Sequence, residues 1–406
     1  MSKLQELIDR LCPDGVEYTT LGNIAEIKRG VRVVKSDLAI EGSIPVYQNS
    51  LTPLGYYSKS NFNADTTFVI GAGAAGEIGY SAIPYWGADD CYSIICSSKI
   101  ISKYVFYQLS NNQIFLKSRV RTASIPRMAR TAIEQFPIPV PPIEVQGEIV
   151  KILDRFADYA AELQAELQAR RLQYEYYRNL LLTFNPSAYG CGTDDAQKIS
   201  VIARGGYSYE IQWKTMGEIA SFKYGFTAKG CDKGDARYIR ITDISELGSL
   251  LPYDKKYIIL NDESVEYLLN KDDIVMARTG ATFGKTLLYE EDIPAVYASF
   301  LIKISFKNND VLNKYYWHFT KSKHYWKQAN KFVSKGGQPQ FNANSLSQIL
   351  IPIPPLELQE KIVAILDRFE TLVNDLSKGL PAEIEAVKAR YEYFRNKLLT
   401  FKQLSA

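Results

Sequence analysis

Residues 138–156 read IPVPPIEVQGEIVKILDRF, and residues 351–369 repeat this stretch as IPIPPLELQEKIVAILDRF, with 13 of 19 positions identical. A second pair of related segments follows, because YEYYRNLLLTF at 174–184 returns as YEYFRNKLLTF at 391–401. Self-similarity of this length predicts a duplicated architecture. The offset between the copies is 213 residues in the first pair and 217 in the second, so the later copy contains four additional residues.

Each copy begins with a proline cluster that holds the chain extended, and then shows the periodicity of a coiled-coil helix, with apolar residues at steps of four and three. In the first copy these seam positions are Ile149, Leu153, Phe156, Ala160, Leu163, Leu167, Arg170, Tyr174, Tyr177, Leu181 and Phe184, of which Arg170 alone is not apolar. In the second copy they are Ile362, Leu366, Phe369, Val373, Leu376, Leu380, Ile384, Val387, Tyr391, Phe394, Leu398 and Phe401. We expect the two seams to pack on each other, with a four-residue stutter in the second and a kink or restart at Pro381.

The repeat divides the chain into four segments: a globular region at 1–142, a spacer helix at 143–186, a globular region at 187–355 and a spacer helix at 356–406. A linker of small and polar residues lies at 185–198. The globular regions begin alike, with LGNIAEIKRG at 21–30 and MGEIASFKYG at 216–225, and their β-rich interiors diverge. The sequence therefore predicts an α+β protein: two α/β domains separated by two long antiparallel coiled-coil helices, with an internal pseudo-two-fold repeat.

Composition argues against several classes of protein. No apolar run approaches the length of a membrane span, and the charged start MSKLQELIDR is unlike a signal peptide. The five cysteines are scattered and, with two histidines, form no zinc-binding spacing, so we expect a reduced cytoplasmic protein. The formal net charge of +3 is too small to identify a polyanionic partner.

Two glycine-rich segments imitate nucleotide-binding motifs. GAGAAG at 71–76 has the spacing G-x-G-x-x-G, but no helical period follows it. GATFGKT at 280–286 has three residues between its glycines where a P-loop has four. Because the segments occupy corresponding places, we interpret them as a glycine loop common to both globular regions. The motif of an amino-methylating DNA enzyme is absent from the sequence, which predicts a non-catalytic chain.

Basic residues point to a nucleic-acid partner. An acid-free, cation-rich stretch precedes each proline cluster, at 117–130 and 321–335. One such run is usually a solvated surface, but two at equivalent positions favour contact with DNA phosphates. The candidates are Lys28, Arg29, Arg32, Arg119 and Arg121 in the first region and Lys223, Lys229, Lys327, Lys331 and Lys335 in the second. Base edges are read by Arg on guanine and by Asn or Gln on adenine, and the candidates, each of which could equally be a turn residue, are Gln48, Asn49, Arg127, Arg278, Gln338 and Gln340.

The repeated PPIEVQGEIVKILDRF and PPLELQEKIVAILDRF, the endings YEYYRNLLLTF and YEYFRNKLLTF, and the paired starts LGNIAEIKRG and MGEIASFKYG resemble type I restriction–modification specificity subunits. The resemblance covers essentially the whole chain. It implies a non-catalytic DNA-binding subunit with two target recognition domains, of which the first reads the 5′ half and the second the 3′ half of a bipartite asymmetric site.

The resemblance also implies partners. Two adenine methyltransferase subunits would bind S-adenosylmethionine, restriction subunits would bind ATP and magnesium, and this chain would hold no cofactor. The spacer helices would set the half-site separation and dock the partners, and the residues expected for these roles are Ile149, Leu153, Phe156, Leu163, Leu167, Tyr177, Leu181, Ile362, Leu366, Phe369, Phe394 and Leu398. The tandem AELQAELQ at 161–168 is either ordinary helical sequence or a length adjuster, since four helical residues add about 6 Å.

Two other functions stay open at this stage. A methyltransferase with its own recognition domains would methylate DNA unaided. A coiled-coil scaffold with no DNA role would leave DNA binding by its complex unaffected when Arg119, Arg121 and Arg127 are neutralised.

Overall fold

A computed structural model describes residues 3–34, 36, 38, 42–122, 124–184, 211–334, 337, 339–375 and 377–404. The chain packs as two compact units, residues 1–164 with 383–406 and residues 165–382, which we call unit 1 and unit 2. Each unit therefore combines one globular region with part of both spacer segments. The expected linker at 185–198 lies outside the described residues.

Up to residue 183 the chain forms a globular region followed by one long helix. The helices are α1 (Lys3–Leu11), α2 (Ser102–Asn111), α3 (Gln113–Lys117), α4 (Arg130–Glu134) and α5 (Ile143–Thr183). The strands are β1 (Tyr18–Thr20), β2 (Ala25–Arg29), β3 (Ile44–Tyr47), β4 (Gly55–Tyr57), β5 (Thr66–Ile70), β6 (Ile78–Ser81), β7 (Trp86–Gly87), β8 (Cys91–Cys96) and β9 (Pro137–Pro139). Helix α5 is the first spacer helix and is continuous over 41 residues.

From residue 211 onward the pattern recurs. The helices are α6 (Met216–Ile219), α7 (Asn313–Thr320), α8 (Lys323–Phe332), α9 (Ala343–Ser347), α10 (Leu356–Asn374) and α11 (Leu380–Leu398). The strands are β10 (Gln212–Thr215), β11 (Ala220–Tyr224), β12 (Ala236–Ile239), β13 (Tyr257–Ile258), β14 (Ile274–Ala277), β15 (Thr286–Leu288), β16 (Ala295–Tyr297), β17 (Leu301–Phe306) and β18 (Leu350–Ile353). The second spacer segment is thus formed by two helices of 19 residues each and not by one continuous helix. The second of them begins at Leu380, directly before Pro381, where the sequence predicts a restart.

The two units have the same strand topology. Unit 1 contains a four-stranded antiparallel sheet in the order β2-β8-β5-β6 and a mixed three-stranded sheet in the order β4-β3-β7. Unit 2 contains the corresponding sheets β11-β17-β14-β15 and β13-β12-β16. In each unit a two-stranded antiparallel sheet, β1-β9 or β10-β18, joins the start of the globular region to the strand before its spacer helix. The duplication predicted from the sequence is therefore present in the topology.

The core of unit 1 takes in the first turns of α5. All five residues of β5 are buried, and Ile149 and Leu153 of α5 are fully buried in the same apolar cluster as Tyr104 of α2 and Leu399. Burying a leucine or isoleucine side chain stabilises a fold by roughly 1.5–3 kcal/mol. These two seam positions therefore hold the helix to the globular region.

The spacer helices of unit 1 run antiparallel. The ring of Phe156 in α5 lies 5.6 Å from the ring of Phe394 and 6.4 Å from that of Tyr391, both in α11. Further along α5, the hydroxyl of Tyr159 donates to Glu383 at the start of α11, at 2.6 Å. Because contacts move forward in α5 and backward in α11, the two helices have opposite directions.

Unit 2 repeats this contact with the copies exchanged. The ring of Phe369 in α10 lies 5.5 Å from that of Tyr177 and 6.1 Å from that of Tyr174, both in α5. The hydroxyl of Tyr174 also donates to the carboxylate of Glu370. In both units, therefore, the LDRF motif of one copy packs on the segment YEYY at 174–177 or YEYF at 391–394 of the other copy.

Most of the seam is buried, as the heptad pattern predicts. The buried members are Ile149, Leu153, Leu163, Leu167, Tyr174, Leu181, Ile362, Leu366, Val373, Leu380, Ile384 and Val387. Phe394 is an exception, with 37% of its surface exposed, and Leu376 lies outside the described residues. In the part of the chain that the structure describes, no helix is both long and apolar enough to cross a membrane.

The interruption between α10, which ends at Asn374, and α11, which begins at Leu380, accommodates the longer second copy. Within it, the carboxylate of Asp375 accepts hydrogen bonds from the backbone amides of Ser377 and Lys378, at 2.7 and 3.1 Å. Such local bonds compete with helix propagation. The interruption lies between the two repeated segments 351–369 and 391–401. This is the interval in which the offset between the copies changes from 213 to 217 residues.

Candidate nucleic-acid interface

A buried glutamine at the start of each spacer helix fixes the neighbouring globular region. Gln146 Oε1 accepts a hydrogen bond from the Ile101 amide at 2.9 Å, and its Nε2 donates to the carbonyl oxygens of Lys99 and Pro141, at 3.0 and 2.7 Å. Gln359 makes the corresponding three bonds in unit 2, at 2.9, 2.7 and 2.8 Å. Because an unpaired buried amide costs about 1–3 kcal/mol, the repeated glutamine fixes the direction in which α2 or α7 begins.

The aspartate of the repeated LDRF motif ties the spacer helix to the globular region. Asp154 accepts hydrogen bonds from the Tyr107 hydroxyl at 2.5 Å and pairs with Lys103 at 2.9 Å. Asp367 makes the same contacts in unit 2 with His318, at 2.8 Å, and with Lys314, at 3.1 Å. His318 is fully buried, and this burial lowers its pKa although the carboxylate of Asp367 acts in the opposite direction.

Loops converge at one end of the four-stranded sheet of unit 1. The Gly30 amide donates to the Cys91 carbonyl at 2.9 Å, and the Gly71 amide donates to the Asp90 carbonyl at 2.7 Å. The basic segment 28–32 and the glycine loop 71–76 thus flank the same short segment. We call the surface formed by residues 28–32, 71–76, 119–122 and 124–128 the glycine-loop end of unit 1.

The basic stretch of unit 1 is attached to the glycine loop by backbone hydrogen bonds. The Gly73 amide donates to the Pro126 carbonyl at 3.1 Å, and the Met128 amide donates to the Gly71 carbonyl at 2.8 Å. Gly73 has a φ of 81°, and a Cβ there would lie 2.8 Å from the carbonyl oxygen of Asn49. Only glycine allows this loop to pass so close to Asn49. This close approach favours the interpretation of 71–76 as a tight loop and not as a dinucleotide-binding motif.

Unit 2 builds the same surface from different residues. The Gly225 amide donates to the Leu301 carbonyl, and the Arg278 amide donates to the Phe300 carbonyl, both at 3.0 Å. The attachment of the basic stretch also recurs, because the Gly280 amide donates to Pro339 at 3.0 Å and the Phe341 amide donates to Arg278 at 2.8 Å. The glycine-loop end of unit 2 comprises residues 223–225, 278–284, 334 and 339–341. Matching hydrogen bonds make Arg278 the counterpart of Gly71 and Gln340 the counterpart of Arg127.

The predicted residues of unit 1 gather around its glycine-loop end. Arg121 and Arg127 exchange backbone hydrogen bonds, at 2.8 and 3.2 Å, and both side chains are exposed. Neither side chain has a bonding partner among the described residues. The Asn49 carbonyl accepts from the Ala74 amide at 2.9 Å, and the half-buried Gln48 precedes it.

Other cations of unit 1 are partly engaged within the fold. Lys28 pairs with Glu26 at 3.2 Å, and Arg29 donates to a backbone carbonyl at 2.6 Å. Arg119 lies over the ring of Phe115, with 3.4 Å from its guanidinium carbon to the ring centroid, and Arg32 is exposed. Exposed pairs of this kind contribute little to stability, so these side chains can exchange their partners for phosphate.

The predicted cations of unit 2 are more dispersed. Lys223 pairs with Glu266 at 3.3 Å and stands 4.3 Å from the ring centroid of Tyr267. The exposed cations Lys229, Lys327 and Lys331 lie along the chain beyond it, the last two on α8. The expected Lys335 and Gln338 lie outside the described residues. Gln340 is half-buried and its backbone pairs with Ser334.

Two aromatic residues of this surface were missed by sequence reasoning. Tyr224 and Phe300 place their rings 5.2 and 5.4 Å from the guanidinium carbon of Arg278, yet 43% and 51% of their surfaces are exposed. The available signal was the tyrosine of KYG at 223–225, where the first copy has the arginine of KRG. Across the described residues, no group of three or more His, Cys, Asp or Glu side chains could hold a metal ion.

Comparisons with known proteins agree with this duplicated geometry. The family model described as "Type I restriction modification DNA specificity domain" matches residues 13–170 and again residues 210–386. A Haemophilus influenzae protein named as a type I restriction enzyme specificity subunit is 31% identical over 406 residues, which is 95% of this chain and 96% of that protein. The Escherichia coli EcoR124I/EcoR124II specificity subunit is 29% identical over 328 residues, 75% of this chain and 72% of its own length.

A solved structure supports the fold. The crystal structure of the S subunit of a type I restriction–modification system from M. genitalium matches with a TM-score of 0.63 and 16% identity. The match covers 95% of this chain and 96% of that one.

Proposed function

The chain belongs to the type I restriction–modification DNA specificity family, and we propose that it is the subunit through which such a complex reads a bipartite DNA site. Residues 1–142 and 187–355 would each read one half-site, and residues 143–186 and 356–406 would set the separation. The chain itself would contribute recognition and no catalysis.

One observation carries the proposal: each unit presents the same glycine-loop end with different side chains. The backbone hydrogen bonds that build this surface recur, whereas the residues at its equivalent positions are Gly71 and Arg127 in one unit and Arg278 and Gln340 in the other. A constant backbone scaffold that carries different side chains at equivalent positions is what reading two different sequences requires.

The cations around the two surfaces supply the affinity. Lysine and arginine side chains that neutralise phosphates release counterions, and this term makes binding depend on salt. In unit 1 the exposed side chain of Arg121 is available, since it has no partner among the described residues. In unit 2, Lys327 and Lys331 on α8 and Lys229 would act in the same way.

Equivalent apolar residues on the spacer helices suggest where partners dock. Ile143 and Leu356 hold the same position in the two copies, and each is 40% exposed. Tyr176 and Tyr393 also correspond, and are 46% and 61% exposed. Because the same apolar positions are exposed in both copies, such a duplicated set would let one chain bind two copies of a methyltransferase subunit and, through the same complex, restriction subunits.

Binding to DNA fits a cytoplasmic protein, and so does the unpaired state of the cysteines. Cys12, Cys91, Cys96 and Cys231 are all unpaired in the structure. Disulfides persist mainly in oxidising compartments.

The test is a selection from random duplexes with the chain assembled with its methyltransferase partner. We expect two short conserved blocks separated by a fixed number of unspecified base pairs. A single block, or no enrichment, would contradict the proposal. The Arg121→Ala variant should reduce the slope of log affinity against log salt by about 1, whereas Arg10→Ala, at an exposed position on α1, should leave the slope unchanged.

A further inference from the structure

We propose that Arg278 recognises a guanine in the half-site of unit 2, with Gln340 reading an adenine at the neighbouring base pair. This inference rests on the proposed function, since it assumes that the glycine-loop end of unit 2 faces base edges. It assigns a particular base to each of two side chains, which the family resemblance does not.

The guanidinium of Arg278 is held in place by three separate contacts. Its Nε donates to the carbonyl oxygen of Ser299 at 3.1 Å, and the rings of Tyr224 and Phe300 lie 5.2 and 5.4 Å from its central carbon. The two terminal nitrogens have no hydrogen-bond partner among the described residues. Those two groups form the fork that pairs with O6 and N7 of guanine. A fork that is already oriented loses less entropy on binding.

The fold does not need this side chain. The structural task at position 278 is done by the backbone, whose amide donates to Phe300 and whose carbonyl accepts from Phe341. In unit 1 the same two hydrogen bonds are made by Gly71, with Asp90 and Met128, and a glycine has no side chain to contribute. An arginine near two exposed aromatic residues, at a position where a glycine suffices in the other unit, is therefore explained better by a ligand than by folding.

Gln340 lies in the segment that pairs with the backbone of Arg278. The hydrogen bond from Phe341 to Arg278 brings the neighbouring residue 340 next to residue 278. Both backbone groups of Gln340 are bonded, its amide to Ser334 Oγ at 3.2 Å and its carbonyl to the Ser334 amide at 3.1 Å. Its side-chain amide has no partner among the described residues, and an amide of this kind pairs with N6 and N7 of adenine.

The comparison of units predicts different bases at equivalent places. Unit 1 offers an arginine at the counterpart of Gln340, namely Arg127, and no side chain at the counterpart of Arg278, namely Gly71. The half-site of unit 1 should therefore contain a guanine where that of unit 2 contains an adenine. It should show no preference attributable to residue 71.

Arg278 could also contact a phosphate, and the Arg278→Lys variant separates the two roles. Lysine keeps the charge and can still meet a phosphate, but it lacks the planar fork that binds guanine in two places. Arg278→Gly is a second variant, because glycine supports the same backbone hydrogen bonds at the equivalent position of unit 1. Lys271→Ala is the matched control, since Lys271 precedes β14 and Arg278 follows it, and Lys271 is engaged with Asp292.

The experiment is selection from random duplexes by the complete complex with its methyltransferase partner. For Arg278→Lys and Arg278→Gly, we expect the preference for one guanine of one half-site to fall roughly 10- to 100-fold. The other half-site and the gap should stay as in the unchanged chain, and Lys271→Ala should retain the guanine. Gln340→Arg should change the neighbouring adenine to guanine.

Three outcomes would overturn the inference. The guanine preference could persist within twofold in both variants, the affected base could be another one, or Arg278→Lys could weaken all sequences equally. Failure of the proposed function itself is distinguishable, because the unchanged complex would then select no bipartite site at all.

Discussion

The ring of Phe156 stacks on the ring of Phe394 with 5.6 Å between centroids and 25° between their planes. Phe369 and Tyr177, the same two positions of the repeat with the copies exchanged, stack at 5.5 Å and 23° in the other unit. Each LDRF motif is therefore completed by the segment YEYY at 174–177 or YEYF at 391–394 of the other copy. The two blocks recur together in the sequence because each unit requires one of each.

We predict that Phe156 and Phe394 are energetically coupled. In a double-mutant cycle with Phe156→Leu and Phe394→Leu, the coupling free energy should be about 1 kcal/mol, the usual value for an aromatic pair beyond its buried area. Equilibrium urea unfolding of the four proteins measures it. Leu172→Ala, at an α5 position that is 69% exposed, should change the free energy of unfolding by less than about 0.5 kcal/mol. Additive effects of the two phenylalanine changes would refute the coupling.

The sequence predicts the repeated helices well, because a heptad pattern is a local signal. Leu163, Leu167, Ile384 and Val387 are buried as their spacing requires. The packing of Ile149 and Leu153 into the globular core is not local, because it depends on α2 and on Leu399, some 250 residues away in the chain. Periodicity shows that a residue is buried and leaves its partner undetermined.

In the candidate interface, too, the sequence indicates individual residues but not which residues correspond or meet. Arg127 and Gln340 could be proposed from residue type alone, but SIPRM at 124–128 and QPQF at 338–341 share only a proline. Their equivalence becomes visible through the backbone hydrogen bonds to the glycine loops. The contacts of Arg278 with the rings of Tyr224 and Phe300 join residues from three separate segments, so no spacing in the sequence could indicate them.

The last residues of the chain should be needed for unit 1 and dispensable for unit 2. The Val16 amide donates to the Lys402 carbonyl at 2.9 Å, and the Tyr18 hydroxyl donates to the Phe401 carbonyl at 3.0 Å. Gln108 donates to the carbonyl of the buried Leu399 at 3.0 Å. A chain that ends at residue 398 loses these bonds and a core leucine, which we expect to destabilise unit 1 by at least about 5 kcal/mol.

Limited proteolysis followed by mass spectrometry is the measurement for this truncation. Cleavage should appear throughout residues 18–140, while fragments from 211–375 stay protected. A chain that ends at residue 404 keeps every bond named above and is the control. Equal protection of both units in the shorter chain would show that the C-terminal segment is not part of the unit 1 fold.

Buried His318 should make the stability of unit 2 depend on pH. Burial lowers its pKa, so the folded state takes up this proton at a lower pH than the unfolded state does. The stabilising contribution is complete above the unfolded pKa of about 6.5 and is lost as the pH falls below it. For one proton the slope cannot exceed about 1.4 kcal/mol per pH unit. Asp367, Lys314, Lys321 and Glu370 are the charged groups around the ring.

The measurement is urea unfolding between pH 7.5 and about 5, a range that avoids the titration of carboxylates near 4. Trp317 fluorescence reports on the site, since its ring lies 4.9 Å from that of His318. His318→Tyr places in unit 2 the residue that unit 1 has at this position, Tyr107, and should reduce the slope; burial also lowers the pKa of His324, which accounts for a remaining slope. His318→Gln serves the same purpose without added bulk. An unchanged slope in both variants would assign the effect to another group.

Deleting residues 165–168, the second AELQ of the tandem, should shorten the gap between half-sites without altering either half-site. Four helical residues correspond to about 6 Å, or roughly two base pairs at about 3.4 Å each. The deletion keeps the seam in phase to within a fraction of a turn, because Leu163 and Leu167 are both buried and four residues apart. The second spacer segment can adjust to the shorter α5 at the interruption between α10 and α11. That interruption already accommodates the four additional residues of the second copy. Glu166→Gln breaks the ion pair with Arg170 but preserves length, so its gap should be unchanged. Methylation mapping of cells that carry each variant gives the answer directly: a gap that stays the same after the deletion would mean that helix length does not set the separation.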